Sequence, residues 1–506
     1  MKKNNKITAV FCLLFNLFSI TLVAQTTSAI IPGDFPDPTV IRTPQGYYAA
    51  GTSSEWAPHF PVYHSTDLLN WKQVGYVFDK TPEWASGSFW APEYYKIGNT
   101  YYLYYVARRK SDNISCIGVA TSKYPDHGFK DHGVILAYGR EAIDPFIYND
   151  NGQLYITFKA YGLDNRPIEL VAQKLSGDGL KISGESISLL KDDKKAGMEG
   201  QSFLKHGKYF YLFYSAGGCC GIGCSYHIKI ARATNFAGPY EKYDNEEVLK
   251  TAPGWKCSGH GTFVETSDGK CFFVCHAYND ESNVFTGRQG MLAELKWLGG
   301  DQWPLMQAVN VPRKLNNIHD SFISKTPDIN WQYDFHSALP NVKQGKGMLY
   351  LSGKLINNTS TGIAYGVRTL SADFEMSTTV VNNNNAVKGL CLYGSAKNTL
   401  VLGVSANKVC LYTIKNGVFR MIDSVKVDPK AVVQLKLNVK DKTGKAFYKQ
   451  AKGEWKAING KEAILLDFLP QWDAPPRGGL FFKGDTTENA SFSRFDVINK
   501  NGGLDN

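Results

Sequence analysis

A chain of 506 residues with 43% apolar content is too long for one ordinary domain and rich enough to build large cores, so two domains are expected. Its formal net charge of +10 comes from scattered lysines and arginines rather than an Arg-rich helix or a basic stripe, which argues against a nucleic-acid surface. Aromatic content of 13%, with 28 Tyr, 28 Phe and 48 Gly, leans towards an all-β fold of short strands.

The chain opens on an export signal. Lys2, Lys3 and Lys6 precede the apolar run "ITAVFCLLFNLFSITLV", and Leu22-Val23-Ala24 offers a small-residue cleavage site before Gln25. Asn16 interrupts the run, which speaks against a transmembrane anchor. No later segment approaches the roughly 20 apolar residues a span needs. A periplasmic or secreted protein is therefore expected, with residues 1–24 removed. Loss of the three lysines takes the charge from +10 to +7.

From about residue 28 to 300 one phrase recurs five times. "DPTVIRTPQGYYAAGTS" begins at Asp37, "APEYYKIGNTYYLYYVA" at Ala91 and "DPFIYNDNGQLYITFKAY" at Asp144. "EGQSFLKHGKYFYLFYSA" begins at Glu199 and "HGTFVETSDGKCFFVCHAY" at His260. Each has a polar head, a β-prone run, a Gly-containing turn of the kind a tight hairpin needs, and a second aromatic run. With Glu93 as the head of the second phrase, the heads are 56, 51, 55 and 61 residues apart. That period suits a four-stranded propeller blade with generous loops. Pro61–Gly75 and Tyr226–Tyr243 read as outer strands. The segment is predicted to be a five-bladed β-propeller.

In a propeller the innermost strands line the axis, so Asp37, Glu93, Asp144, Glu199 and His260 are expected to converge at one axial mouth. Gathered carboxylates repel one another and are kept for catalysis or metal binding. Glycoside hydrolysis needs two of them in opposite protonation states, and a third can raise the acid's pKa by like-charge repulsion. Asp34 competes with Asp37 for the first position, but only Asp37 has the strand-head placement shared with Asp144.

Cys12 lies in the signal, leaving nine cysteines, an odd number that cannot pair completely within one molecule. Cys219, Cys220 and Cys224 cluster in "GGCCGIGCSYH", ahead of Cys257, Cys271 and Cys275. Export permits disulfides, and "CCxxxC" is not a zinc spacing, so loop disulfides or buried thiols are expected.

The phrases "FPDPTV", "WAPEYY", "AIDPFIYNDNGQLYITF", "MEGQSFLKHGKYFYLFYS", "GHGTF" and "GRQGMLAELKW", with the outer-strand phrase "STDLLNWKQVG", resemble glycoside hydrolase family 43, in order and in register. The resemblance implies an inverting glycosidase acting on arabinose- or xylose-containing plant cell-wall polysaccharide or oligosaccharide, with α-L-arabinofuranosidase favoured over β-xylosidase, arabinanase or galactan-active enzymes. It implies Asp37 as general base, Asp144 as the carboxylate that tunes and orients the acid, and Glu199 as general acid. The Asp37–Glu199 gap is then roughly 6.5–9.5 Å. Arg288 matches an arginine reaching towards the sugar, and Trp90 an aromatic lining the pocket. His260 matches an axial histidine that in some members helps hold a metal ion or water. No cofactor is required for the chemistry, and a calcium ion at the axis is the one group the resemblance brings into view. A glycan-binding propeller without catalysis is the reading from a different class.

Residues 301–328, with Pro304 and Pro312, read as a linker. From 329 to about 500, short strands such as "ADFEMSTTVV", "TLVLGVSANKVCLYTIKNG" and "VVQLKLNVK" alternate with polar turns, which predicts an antiparallel β-sandwich. "GGLFFKG…ASFSRFDV" resembles the concanavalin-like sandwich behind some propellers of the family. A stabilising role is expected for it, with glycan binding or walling of the active site as alternatives.

Overall fold

The computed structural model describes residues 28–500 except 163–165, 222, 244–247, 251, 281–282, 313–314 and 382–383. The expected export signal lies outside the described residues.

Five antiparallel blades follow one another along the chain. Blade I comprises Thr39–Thr43, Gly46–Ala50, His59–Ser65 and Lys72–Phe78. Blade II comprises Ala85–Ile97, Thr100–Arg109, Ser115–Ser122 and Lys130–Leu136, and blade III Glu141–Asp150, Gln153–Tyr161, Glu169–Leu175 and Ile182–Lys191. Blade IV comprises Met198–His206, Tyr209–Ala216, His227–Ala233 and Glu241–Lys242. Blade V comprises Trp255–Glu265, Cys271–Asn279, Arg288–Lys296 and Leu305–Ala308. The ring closes through its own beginning: Ile30 and Ile31 donate their N–H groups to Gly290 of blade V, and Gly290 donates back to Ile31. The core between blades is aromatic, with Tyr104, Tyr105, Phe158, Tyr211, Phe213 and Phe273 almost fully buried.

Each innermost strand is kinked where it enters the axial mouth. Asp37, Ala91, Asp144, Gly200 and His260 all have positive φ, between 38° and 59°, and the ladders slip beside them in blades II to V. Bulges of this kind re-aim side chains at the rim of a closed sheet. The equivalent positions are 54, 53, 56 and 60 residues apart.

This register corrects one expectation. The blade II head is Ala91, and Glu93 lies two residues further in, beneath the mouth. There Oε2 accepts hydrogen bonds from Thr39 of blade I (2.9 Å) and Thr262 of blade V (3.3 Å). The Ile147 backbone of blade III also bonds to it. Glu93 is thus a hub tie between blades, and burial pushes its carboxyl up to about 8 despite these bonds. The folded state keeps this proton to higher pH than the unfolded chain does. The stability it confers is therefore present below the unfolded pKa near 4.5 and is lost as pH rises towards 8. Glu93→Gln is expected to stabilise the protein by about 3 kcal/mol at pH 7 and to change little at pH 4.5, read from denaturation midpoints at the two pH values. Equal effects at both would contradict this account.

The second domain is a sandwich of two large sheets. One carries Asp373–Val380, Val433–Lys440, Thr443–Gln450 and Ala490–Asn499; the other carries Ile363–Arg368, Val387–Ser395, Asn398–Ser405, Lys408–Lys415 and Arg477–Lys483. The pairs Phe374/Met376, Leu390/Leu392, Leu400/Leu402 and Leu435/Leu437 enter the core between the sheets at the two-residue period of strands, and the other face of the second sheet is covered by a cluster of Trp56, Cys391, Tyr393 and Val401.

The expected linker is also corrected. Leu305–Ala308 is the fourth strand of blade V, and Ile318–Asp320 pairs with the sandwich strand Ala490–Asn499. A reciprocal graft comes from blade I, whose Trp56–Ala57 pairs with Tyr333–Asp334 on the edge of a sandwich sheet. Asp34 does not enter the axial mouth. It is buried at this seam, accepting from Arg477 Nη2 at 3.0 Å, while its carbonyl accepts from Arg368. The two domains are therefore tied by sheet pairing and by buried ions, not strung on a tether.

Candidate active site

Asp37 sits at the head of blade I with both carboxylate oxygens engaged. Thr52 Oγ1 donates to Oδ2 at 2.7 Å, and Arg288 Nη1 donates to Oδ1 at 3.0 Å. The Asp37 N–H donates to His276 Nδ1 at 3.0 Å. His276 is itself fully buried, which lowers its pKa to about 4 and leaves the ring neutral, so that Nδ1 is free to accept. Burial works to raise the Asp37 pKa, but the Arg288 guanidinium outweighs it and holds the carboxyl well below the usual range. Asp37 is thus an ionised acceptor at neutral pH.

Asp144, at the head of blade III, is placed 3.9 Å from His260 Nδ1, which itself lies 3.4 Å from Asp37. The imidazole of blade V stands between the two carboxylates. Asp144 Oδ2 accepts the Gly200 N–H at 2.8 Å, so it fixes the peptide that follows Glu199. Gly200 is required here: with φ at +59°, an added Cβ would stand 2.8 Å from the His260 ring. Burial, with Glu199 adding to it, pushes the Asp144 pKa up to about 6.

Glu199, at the head of blade IV, meets a group the sequence reading missed. Lys159 Nζ donates to its Oε2 at 2.7 Å, the two side chains being 12% and 18% exposed. Lys159 lies opposite Ile143 in the blade III ladder and so projects beside Asp144. Burial raises the Glu199 pKa, but Lys159 overrides it and the net direction is downward. Like-charge repulsion was expected to raise this acid; in the structure Lys159 lowers the Glu199 pKa, and it is the Asp144 carboxyl that is raised.

One wall of the mouth comes from the sandwich. Asp473 Oδ2 accepts from Trp90 Nε1 at 2.9 Å and from Ser54 Oγ at 3.0 Å, and its carbonyl faces Arg288 Nη2 at 3.5 Å. Trp90 is further covered by the Arg108 guanidinium, 5.6 Å over its ring. Beside Asp473, Trp472 is 63% exposed and borders a small cavity with Gly221, Tyr278 and Pro475. Gly221 belongs to the cysteine-rich loop, which carries a Cys219–Cys220 disulfide and is tied by Cys224–Cys257 to the inner strand of blade V. Cys116, Cys271, Cys275, Cys391 and Cys410 are free thiols, so the odd count resolves into two disulfides and unpaired cysteines. The sandwich thus reaches the mouth rather than only bracing the propeller.

Removing the Asp473 carboxylate would leave the Trp90 and Ser54 donors without their acceptor, at a cost of about 1–3 kcal/mol. Asp473→Ala is expected to raise KM about tenfold with a smaller change in kcat, measured by initial rates. An unchanged KM would show that the sandwich loop does not hold the pocket wall.

The structure therefore brings Asp37, Asp144, Glu199, His260, Arg288 and Trp90 to one mouth and removes Glu93 and Asp34 from it. Lys159, Thr52, His276 and Asp473 were not assigned from sequence. Of these, Lys159 left a trace, a charged residue closing an otherwise apolar strand in "LYITFKAY". Around His260, the residues do not fit the axial calcium ion: its Nδ1 faces carboxylates already held by Thr52, Arg288 and Gly200. Among the described residues, no group of three His, Cys, Asp or Glu side chains is arranged to hold a metal.

Comparison with known proteins agrees with this architecture. Residues 319–470 match the Beta xylosidase C-terminal Concanavalin A-like domain. The chain is similar to the Extracellular exo-alpha-(1->5)-L-arabinofuranosidase ArbA of Cellvibrio japonicus, at 30% identity over 305 residues, covering 54% of this chain and 86% of that one. It is similar over nearly its whole length to a Beta-xylosidase of Bacillus subtilis, at 24% identity over 518 residues, covering 91% of this chain and 95% of that one. The structure titled Bacteroides ovatus Xyloglucan PUL GH43B shares the fold with a TM-score of 0.80 at 20% identity, covering 94% of this chain and 99% of that one. Residues 26–304, more than half of the chain, match Glycosyl hydrolases family 43, and the protein belongs to that family.

Proposed function

We propose that this protein is an exported, inverting glycosidase that releases arabinose or xylose from plant cell-wall polysaccharide or its oligosaccharides, with α-L-arabinofuranosides as preferred substrates. The observation that carries the reading is the meeting of Asp37, Asp144 and Glu199, from blades I, III and IV, around the His260 ring. Asp37 takes a proton from the attacking water, and its paired, ionised carboxylate suits a base. Glu199 gives a proton to the departing glycosidic oxygen. Asp144 orients Glu199 through the Gly200 N–H. Trp90, Arg288 and His260 contact the sugar, and the Asp473 wall gives the mouth the closed side of an exo-acting pocket.

Export is supported by the sequence of residues 1–24 and by the extracellular relative of Cellvibrio japonicus. Among the described residues no helix is long and apolar enough to cross a membrane.

A second reading, β-xylosidase, is favoured by the relative from Bacillus subtilis that matches through both domains. A panel of chromogenic α-L-arabinofuranosides and β-D-xylosides beside linear arabinan and xylan separates the two. Faster release from arabinofuranosides supports the first reading, and faster release from xylosides the second. Internal cleavage of linear arabinan would overturn exo action. Binding without turnover on the whole panel would leave a glycan-binding propeller.

A further inference from the structure

The mouth holds one charged side chain to which the reading above gives no task. Lys159 comes from the second strand of blade III, reaches past the strand head and places Nζ 2.7 Å from Glu199 Oε2. Both side chains are largely withdrawn from solvent. A buried pair is costly to desolvate and is weak as a device for stability alone. Here one partner is also the group assigned to cycle a proton.

We propose that Lys159 is a positioning residue for the acid step: its ammonium holds Oε2 of Glu199, turns the other carboxylate oxygen to the glycosidic oxygen, and stabilises the charge left on Glu199 as its proton departs. The inference rests on Glu199 being the general acid. In the step, the Glu199 O–H bond breaks and its proton passes to the glycosidic oxygen, which leaves with the electron pair of the bond to the anomeric carbon. Water forms the new bond to that carbon and its proton passes to Asp37. Solvent then reprotonates Glu199 and deprotonates Asp37. Lys159 keeps its three protons throughout.

The charges facing this pair come from several elements. Asp144 of blade III, His260 of blade V and Asp37 of blade I interact with Glu199, as does the Tyr226 hydroxyl ahead of the third strand of blade IV. Lys159 also faces Asp144 and Glu141. Lys159 is the sole cation among these that is fixed in charge. Asp37 is already paired with Arg288, so removal of Lys159 leaves Glu199 beside Asp144 with no bonded cation of its own, and the acid becomes weaker.

The test compares Lys159→Met, which keeps length and loses charge, with Lys159→Arg, which keeps charge. pH profiles of kcat/KM are recorded on an arabino- or xylo-oligosaccharide and on a 4-nitrophenyl glycoside, whose leaving group departs with little need of protonation. In Lys159→Met the alkaline limb is expected to move up by about one pH unit. Turnover should fall at least about tenfold on the oligosaccharide and less than about threefold on the nitrophenyl glycoside. Lys159→Arg should restore the limb and most of the oligosaccharide turnover. An unmoved limb, or equal losses on both substrates, overturns the inference. If the Met variant does not fold, Lys159→Gln is measured against the same criteria. Glu199→Gln is run alongside. If it keeps oligosaccharide turnover, the acid assignment itself fails; if it loses turnover while the Lys159 limb stays in place, the Lys159 inference alone fails.

Discussion

Asp37→Asn is expected to lower kcat by about 10³–10⁴-fold on every substrate the enzyme cleaves, whatever the leaving group. Asparagine keeps an oxygen for Thr52 and fits the space, but it cannot take a proton from water. The loss should therefore fall on kcat, with KM little changed, because the group acts on water rather than on the sugar. Arg288 makes the base available at low pH: its guanidinium, 3.0 Å from Oδ1, holds the carboxyl ionised in spite of burial. Single-turnover rates on an aryl glycoside and on an oligosaccharide measure the effect. Near wild-type rates on either would remove Asp37 from the mechanism.

Glu199→Gln is expected to cost about 10³-fold on oligosaccharides and far less on nitrophenyl glycosides. The difference arises because an alkoxide must be protonated as it leaves and a nitrophenolate need not be. Asp37→Asn shows no such dependence, so the two variants together separate the acid from the base. Proton NMR of the first-formed sugar should show the inverted anomer, since a water between the two carboxylates attacks from the face opposite the leaving group. A retained anomer would point to a closer carboxylate pair and a covalent intermediate.

The placement of Glu93 shows where strand-level reading reaches its limit. Side chains alternate along a strand, and an error of two residues keeps the same face while changing the depth. Glu93 lies below the mouth, because the positive-φ bulge in this blade falls at Ala91 and the ladder slips between Trp90 and Glu93. A bulge depends on how the partner strand slips, and no local residue pattern in "SFWAPEYYK" marks it. The direction of the Glu199 pKa was hidden for a related reason. Lys159 is 40 residues away, and its reach to the carboxylate depends on the blade III register and on the packing of blade III against blade IV.

From the residues alone came the five-bladed ring, the sandwich behind it, and the heads Asp37, Asp144, Glu199 and His260. These follow from short-range chemistry repeated along the chain: alternating apolar strands, glycine turns, and polar heads at a near-constant period. Only the tertiary structure decided which acids share the mouth and which are sequestered. It moved Glu93 to a hub tie and Asp34 to the domain seam, and it brought Lys159 to Glu199. It also delivered Asp473 from the other domain, 383 residues from Trp90, to close the wall. Electrostatics and hydrogen bonding act through space over a few ångströms, so a partner hundreds of residues distant counts as much as a neighbour, and the linear order of the chain carries no record of it.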